Sequence, residues 1–120
     1  MGSQIAGSRI AAVIVLFFLL AGAAQAGPVL KITILTSGDV LLNGEPTTLP
    51  QLDTRLKAAK EQNGEVWYYR EDAYYFPGPT ALEVFDLLIR HRMKTSLSSK
   101  ADFSDYLDTV GFAHPRTPLQ

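Results

Sequence analysis

Between Val29 and Leu35 the chain alternates, with Leu30, Ile32 and Ile34 on one side and Lys31 and Thr33 on the other. A period of two is that of a strand with one buried face and one wet face. Ser37-Gly38-Asp39 then reads as a turn, and Val40-Leu41-Leu42 as a short second strand ended by Asn43-Gly44, so the first two strands form a hairpin. From Thr48 the period becomes helical. Thr48 is the predicted N-cap, Pro50 lies in the first turn, and Gln51 closes a capping box. Leu49, Leu52, Leu56 and Ala59 make the apolar stripe, Asp53–Lys57 and Lys57–Glu61 lie on the solvent side, and Asn63-Gly64 stops the helix.

Val66-Trp67-Tyr68-Tyr69 is β-branched and aromatic throughout, the composition of a strand. After the Pro77-Gly78-Pro79 loop a second helix is predicted over Thr80–Met93, with Thr80 and Glu83 as a capping box. Its buried face is expected to be Leu82, Phe85 and Ile89, backed by Ala81, Val84 and Leu88. Thr95–Ser98 reads as the final strand, Phe103–Val110 as a last short helix, and residues 113–120 as a flexible tail. The order β-β-α-β-α-β implies an α+β, two-layer sandwich in which both helices cover one face of a small mixed sheet. Each strand–helix–strand unit should be a right-handed parallel crossover. Lys31, Thr33, Ser96 and Ser98 suggest that the other face stays partly open.

Ahead of this domain, Arg9 precedes an apolar run from Ile10 to Leu20, and Ala24-Gln25-Ala26 follows. A basic n-region, an apolar h-region and an Ala-x-Ala site define a secretory signal peptide, here residues 1–26 with cleavage before Gly27. The competing reading is an uncleaved membrane anchor, although the second half of the run is only Ala, Gly and Gln. Either way residues 27–112 form a domain outside the cytoplasm, in the periplasm. There is no cysteine, so neither disulfides nor thiolate chemistry is available. Eleven basic residues stand against twelve acids, and removing Arg9 with the leader leaves a formal charge of −2. Nothing in that balance is basic or clustered enough to suggest nucleic acid or anionic lipid as a partner, and no nucleic-acid partner is expected. A membrane enters only if the leader is retained.

The run Lys31-Ile32-Thr33-Ile34, followed by Gly38-Asp39-Val40-Leu41-Leu42-Asn43-Gly44-Glu45-Pro46 and by Leu49, Leu52 and Leu56, resembles the periplasmic domain of ExbD/TolR-type biopolymer-transport proteins. Glu65–Arg70, Leu82–Arg92 and Lys94-Thr95-Ser96-Leu97 fit the second half of that domain, so the resemblance covers about residues 29–99. It implies a binding or scaffolding role, dimerisation, contact with periplasmic partners or cell wall, and no catalysis. One departure limits it. Members of that family carry an Asp in a single transmembrane helix, where a titratable group serves proton-driven work. No acid occurs here between Met1 and Gly38. The resemblance therefore implies an exported domain accessory to a transport or envelope system, not a motor subunit.

The densest candidate chemistry is aromatic. On the predicted strand Val66 and Tyr68 share one face and Trp67 and Tyr69 the other. Two readings stand: the C-terminal segment covers the outer pair, with Phe103, Tyr106 and Phe112 as lids, or Trp67, Tyr69, Tyr74, Tyr75 and Phe76 form a contact patch for a partner or a glycan. An edge strand with Ser96–Ser98 also invites pairing with a second copy. Glu71 and Asp72 would be the acid–base pair of a small hydrolase, but neighbours on an extended chain point opposite ways. A small periplasmic inhibitor or immunity-type protein is a third reading. His91 and His114 lack metal-ligand spacing, Ser96, Ser98 and Ser99 lack a nucleophile elbow, and the glycines lie in separate turns, so no metal or other cofactor is expected.

Overall fold

A computed structural model describes residues 26–117 of the chain. The expected signal peptide lies outside the described residues except for Ala26. Along the chain run β1 (Val29–Ile34), β2 (Val40–Leu42), β3 (Glu45–Thr47), α1 (Leu49–Glu61), β4 (Glu65–Arg70), α2 (Pro79–Arg90), β5 (Lys94–Leu97), β6 (Asp105–Leu107) and β7 (Ala113–Pro115). The first five strands build one mixed sheet in the order β3-β2-β1-β4-β5, and β6 and β7 form a separate two-stranded ribbon. This is the small α+β architecture that the element pattern implies.

The alternation in β1 sets its faces: Leu30, Ile32 and Ile34 are buried, and Lys31 is exposed. They join Leu52, Leu56 and Ala59 of α1, Val66 and Tyr68 of β4, and Ala81, Val84, Leu87 and Leu88 of α2 in one core. Ile32, Leu52, Leu56, Val66 and Val84 are fully enclosed, and burying side chains of that size stabilises the fold by roughly 1.5–3 kcal/mol each. α1 starts as predicted: Gln51 N donates to Thr48 Oγ1 (3.2 Å) and Thr48 N to Gln51 Oε1 (3.2 Å). It stops where Asn63 takes φ 59°. Gly64 then fits against Pro28 and Ala59 carbonyls that a Cβ would meet at 2.8 and 2.9 Å.

Three features differ from the sequence expectation. Asn43-Gly44 ends the second strand as expected but also turns the chain back into an unforeseen third strand, β3, with φ of 52° and 84° at the turn. That extra strand has a topological consequence. β2 runs antiparallel to β1, while β3 and β4 both run with β1, so α1 joins two parallel strands. A hairpin of β1 and β2 alone would have left α1 joining antiparallel ones.

The second difference is in α2. It begins at Pro79 after Gly78 as N-cap with no side-chain cap bond, so Thr80 lies inside the first turn and the expected Thr80/Glu83 box does not form. Proline's fixed φ suits the first helical position. The buried face is also turned: Ala81, Val84, Leu87 and Leu88 point inward, whereas Leu82 and Ile89 are 54% and 73% exposed. The sequence offers two adjacent apolar stripes, and the sheet can cover only one.

The third is the C-terminus. Instead of a helix over Phe103–Val110 and a flexible tail from Ala113, β6 and β7 pair in the register Tyr106↔His114. Asp108 holds the turn by accepting from Val110 N (3.0 Å), Gly111 N (2.9 Å) and Phe112 N (2.9 Å), and Gly111 takes φ 104°. An Asp side chain that captures three backbone donors competes directly with helix formation.

Candidate functional site

The polar face of the main sheet is partly covered by the segment that carries the β6–β7 ribbon, through Phe103 and Arg116 at its two ends. Lys31 and Trp67 are opposite each other in the β1–β4 register, and Tyr69 lies one pleat further on. Phe103 is buried and meets Tyr69 edge to face, ring centroids 6.4 Å apart. The Arg116 guanidinium lies 4.0 Å from the Trp67 ring centroid, while Lys31 Nζ is 5.5 Å from the same ring. Arg116 Nε donates to Phe103 O (3.0 Å), and its backbone N–H donates to Ser104 O (2.9 Å). Tyr106 stacks on His114. Of the expected lids, Phe103 is buried, Tyr106 is 38% exposed, and Phe112 at 68% exposure covers little.

A polar latch fastens the ribbon to the end of β5. Asp105 is 3% exposed. It accepts from Ser98 Oγ (2.6 Å) and Ser99 N (3.0 Å) and from Ser99 Oγ. Burial pushes its carboxyl up, but these hydrogen bonds outweigh burial and hold it below its ordinary value. Ser98, expected on a wet face, is thus a buried donor.

The aromatic candidates are split into two groups. Trp67 and Tyr69 are half-buried beneath the ribbon. Tyr74, Tyr75 and Phe76 occupy the β4–α2 loop and are 102%, 74% and 98% exposed. Arg70 shapes that loop from within, its Nη1 donating to Asp72 O (2.8 Å) and Tyr75 O (3.0 Å). Glu71 accepts from Thr36 Oγ1 (2.7 Å) and Thr36 N (2.9 Å), tying the end of β4 to the turn after β1. Those bonds hold its carboxyl below the ordinary range, the reverse of what a general acid needs.

His91 and His114 are each engaged by a carboxylate: His91 Nε2 lies 2.5 Å from Asp53 Oδ1, linking α2 to α1, and His114 Nε2 2.8 Å from Asp108 Oδ2. Among the described residues no three His, Cys, Asp or Glu side chains gather as a metal site. No helix among them is long and apolar enough to cross a membrane.

The β5 edge, which the sequence offers for strand pairing, carries an apolar groove that the sequence pattern did not single out. Ser98 N donates to Tyr68 O (2.8 Å). By strand alternation Ser96 and Ser98 therefore address β4, and the backbone groups of Thr95 and Leu97 point outward. Among the described residues β5 has no strand beyond it. Beside it Phe85, Ile89, Met93 and Leu97 line a groove of about 340 Å³. Ile89, from the exposed half of the α2 double stripe, stands with Phe85 in one wall. Two stripes on one helix were the signal available in the sequence.

No protein-family model matches the chain, and no curated protein sequence matches it.

Proposed function

We propose that this chain is a non-catalytic binding domain of the periplasm, accessory to an envelope or transport system, which takes an extended segment of a protein partner as an added strand on β5. The observation that carries the reading is the outward-facing pair Thr95 and Leu97 on an edge strand lined by an apolar groove. In strand addition, backbone hydrogen bonds supply affinity and side-chain pockets beside the edge supply specificity. The leader pattern in residues 1–26 supports export, and the resemblance of residues 29–99 to ExbD/TolR periplasmic domains supports a binding role.

Thr95→Pro tests this, because it removes an outward N–H while leaving the bonds from Ser96 to β4 in place. A photo-crosslinker at Ile89 should capture the partner from envelope extracts of cells carrying the unaltered chain. In the Thr95→Pro chain capture should fall about fivefold, since the one lost backbone bond costs on the order of 1 kcal/mol. Equal capture by both chains, with matching far-UV circular dichroism, would sink the strand-addition reading.

A further inference from the structure

Between the main sheet and the β6–β7 ribbon lies a cavity of about 580 Å³ that the β5-edge reading does not use. Val29, Trp67, Phe103 and Tyr106 give it apolar walls, and Glu65, Ser104 and Arg116 bring polar groups to it. Ligand sites typically measure about 300–1,000 Å³ and combine mostly apolar walls with a few fixed polar groups.

Arg116 is the unusual member of this lining. Its Nε is satisfied by Phe103 O, and its Cζ lies 4.0 Å from the Trp67 ring centroid. Nη2 is shut off from water and has no hydrogen-bond partner among the described residues. A dry guanidinium donor without an acceptor is costly. Glu65 is the nearby carboxylate, close enough to act on Arg116 through its charge but not hydrogen-bonded to it. Asp105, the other acid near Arg116, is engaged by Ser98 and Ser99.

We infer that this cavity binds a monocarboxylate carrying an apolar body, with the carboxylate paired to the Arg116 guanidinium and the body against Trp67 and Tyr106. A planar carboxylate suits the fork of a guanidinium. A phosphate dianion suits it less. Arg116 is the cation lining the cavity, Glu65 stands beside it, and Lys31 lies only as near as 5.5 Å from the Trp67 ring centroid, too little positive charge for a dianion. An apolar cation is disfavoured because Arg116 already occupies the Trp67 face. Because Nη2 is shut off from water as the side chain stands, a ligand meets it by moving the Arg116 side chain, a scale of change common on binding.

The chain has a single tryptophan, so its fluorescence reports this cavity directly. The full chain is titrated with hexanoate and with hexanamide, and in a second arm with an acetylated tetrapeptide ending in leucine, as the free acid and as the amide. Saturable change in Trp67 emission is expected for an acid and at least about tenfold weaker binding for its amide, since charge-assisted bonds are roughly twice as strong as neutral ones. Tighter binding of hexanoate identifies a free acid as the ligand, and tighter binding of the peptide acid a chain terminus. Both results support the site. Arg116→Gln should weaken the acid about tenfold without changing the amide, and Arg116→Lys should restore part of the loss. Acid and amide binding alike, or no saturable response to either acid, would overturn the inference even if the Arg116 variants fail to fold. The β5 edge is not involved, so Thr95→Pro should leave these titrations unchanged.

Discussion

The two edges of the main sheet are built in opposite ways. β3 is three residues long. Glu45 is bonded toward β2 across the Asn43-Gly44 turn, so the residue whose backbone faces outward is Pro46, which has no N–H to offer. β5 offers both groups of Thr95 and Leu97, with an apolar groove alongside. Unpaired edges template association, and proline is one of the standard ways to blunt them. The contrast teaches that one edge is closed to strand addition by its covalent structure and the other is left available.

Each edge also has its own anchor, and removing the anchors tests how far the contrast depends on them. The largest effect is expected at β5. Asp105→Ala takes away the acceptor for Ser98 and Ser99 and leaves buried donors unmatched. Urea denaturation should show a loss of about 3 kcal/mol, and Trp67 emission should report a loosened ribbon. At the β3 end, Thr48→Ala deletes the capping box that starts α1 and should cost about 1 kcal/mol by the same measurement. A Thr48 loss larger than the Asp105 loss would reverse the ranking of the two anchors.

Pro46→Val should change stability by less than about 0.5 kcal/mol, as most exposed substitutions do. It restores an outward N–H to β3, and sedimentation velocity should then show self-association absent from the parent chain. A chain that sediments unchanged would mean that Pro46 is not what protects that edge.

The smallest effect is a dependence on acid. Hydrogen bonds from His114 and from the Phe112, Val110 and Gly111 amides lower Asp108 from 3.8 to about 2. A carboxylate depressed by folding adds stability that is fully present above its unfolded value and fades as pH falls toward the folded one. The ribbon turn should therefore hold above about pH 4 and loosen toward pH 2. Amide exchange at Gly111 and Phe112 measured across that range checks it. Asp108→Asn should remove the pH dependence.

Much of the fold was legible because it is written in local chemistry. The alternation of Leu30, Ile32 and Ile34, the Thr48/Gln51 box, the Asn63-Gly64 stop and the aromatic run from Val66 each specify an element within a few residues. The candidate sites were less legible. Trp67 and Tyr69 could be assigned to the face opposite the helices, but not to a covered or an open state, since that depends on Phe103 and Arg116 far along the chain. The β5 groove was hidden for a different reason. α2 carries two apolar stripes, and its sequence does not say whether Leu82 and Ile89 or Ala81, Val84 and Leu88 turn inward.

The sequence by itself determined the elements from β1 to β5 apart from β3, the hairpin turn at Ser37-Gly38-Asp39, the capped start of α1 and the absence of thiol chemistry. These follow from backbone preferences and hydrogen bonds that close within one turn. Only the tertiary structure decided which stripe of α2 is buried, that residues 103–116 form a lid of two strands, and that Arg116 meets Trp67. Those outcomes depend on which surfaces meet across the fold, where several local choices of nearly equal propensity are resolved by a single shared core.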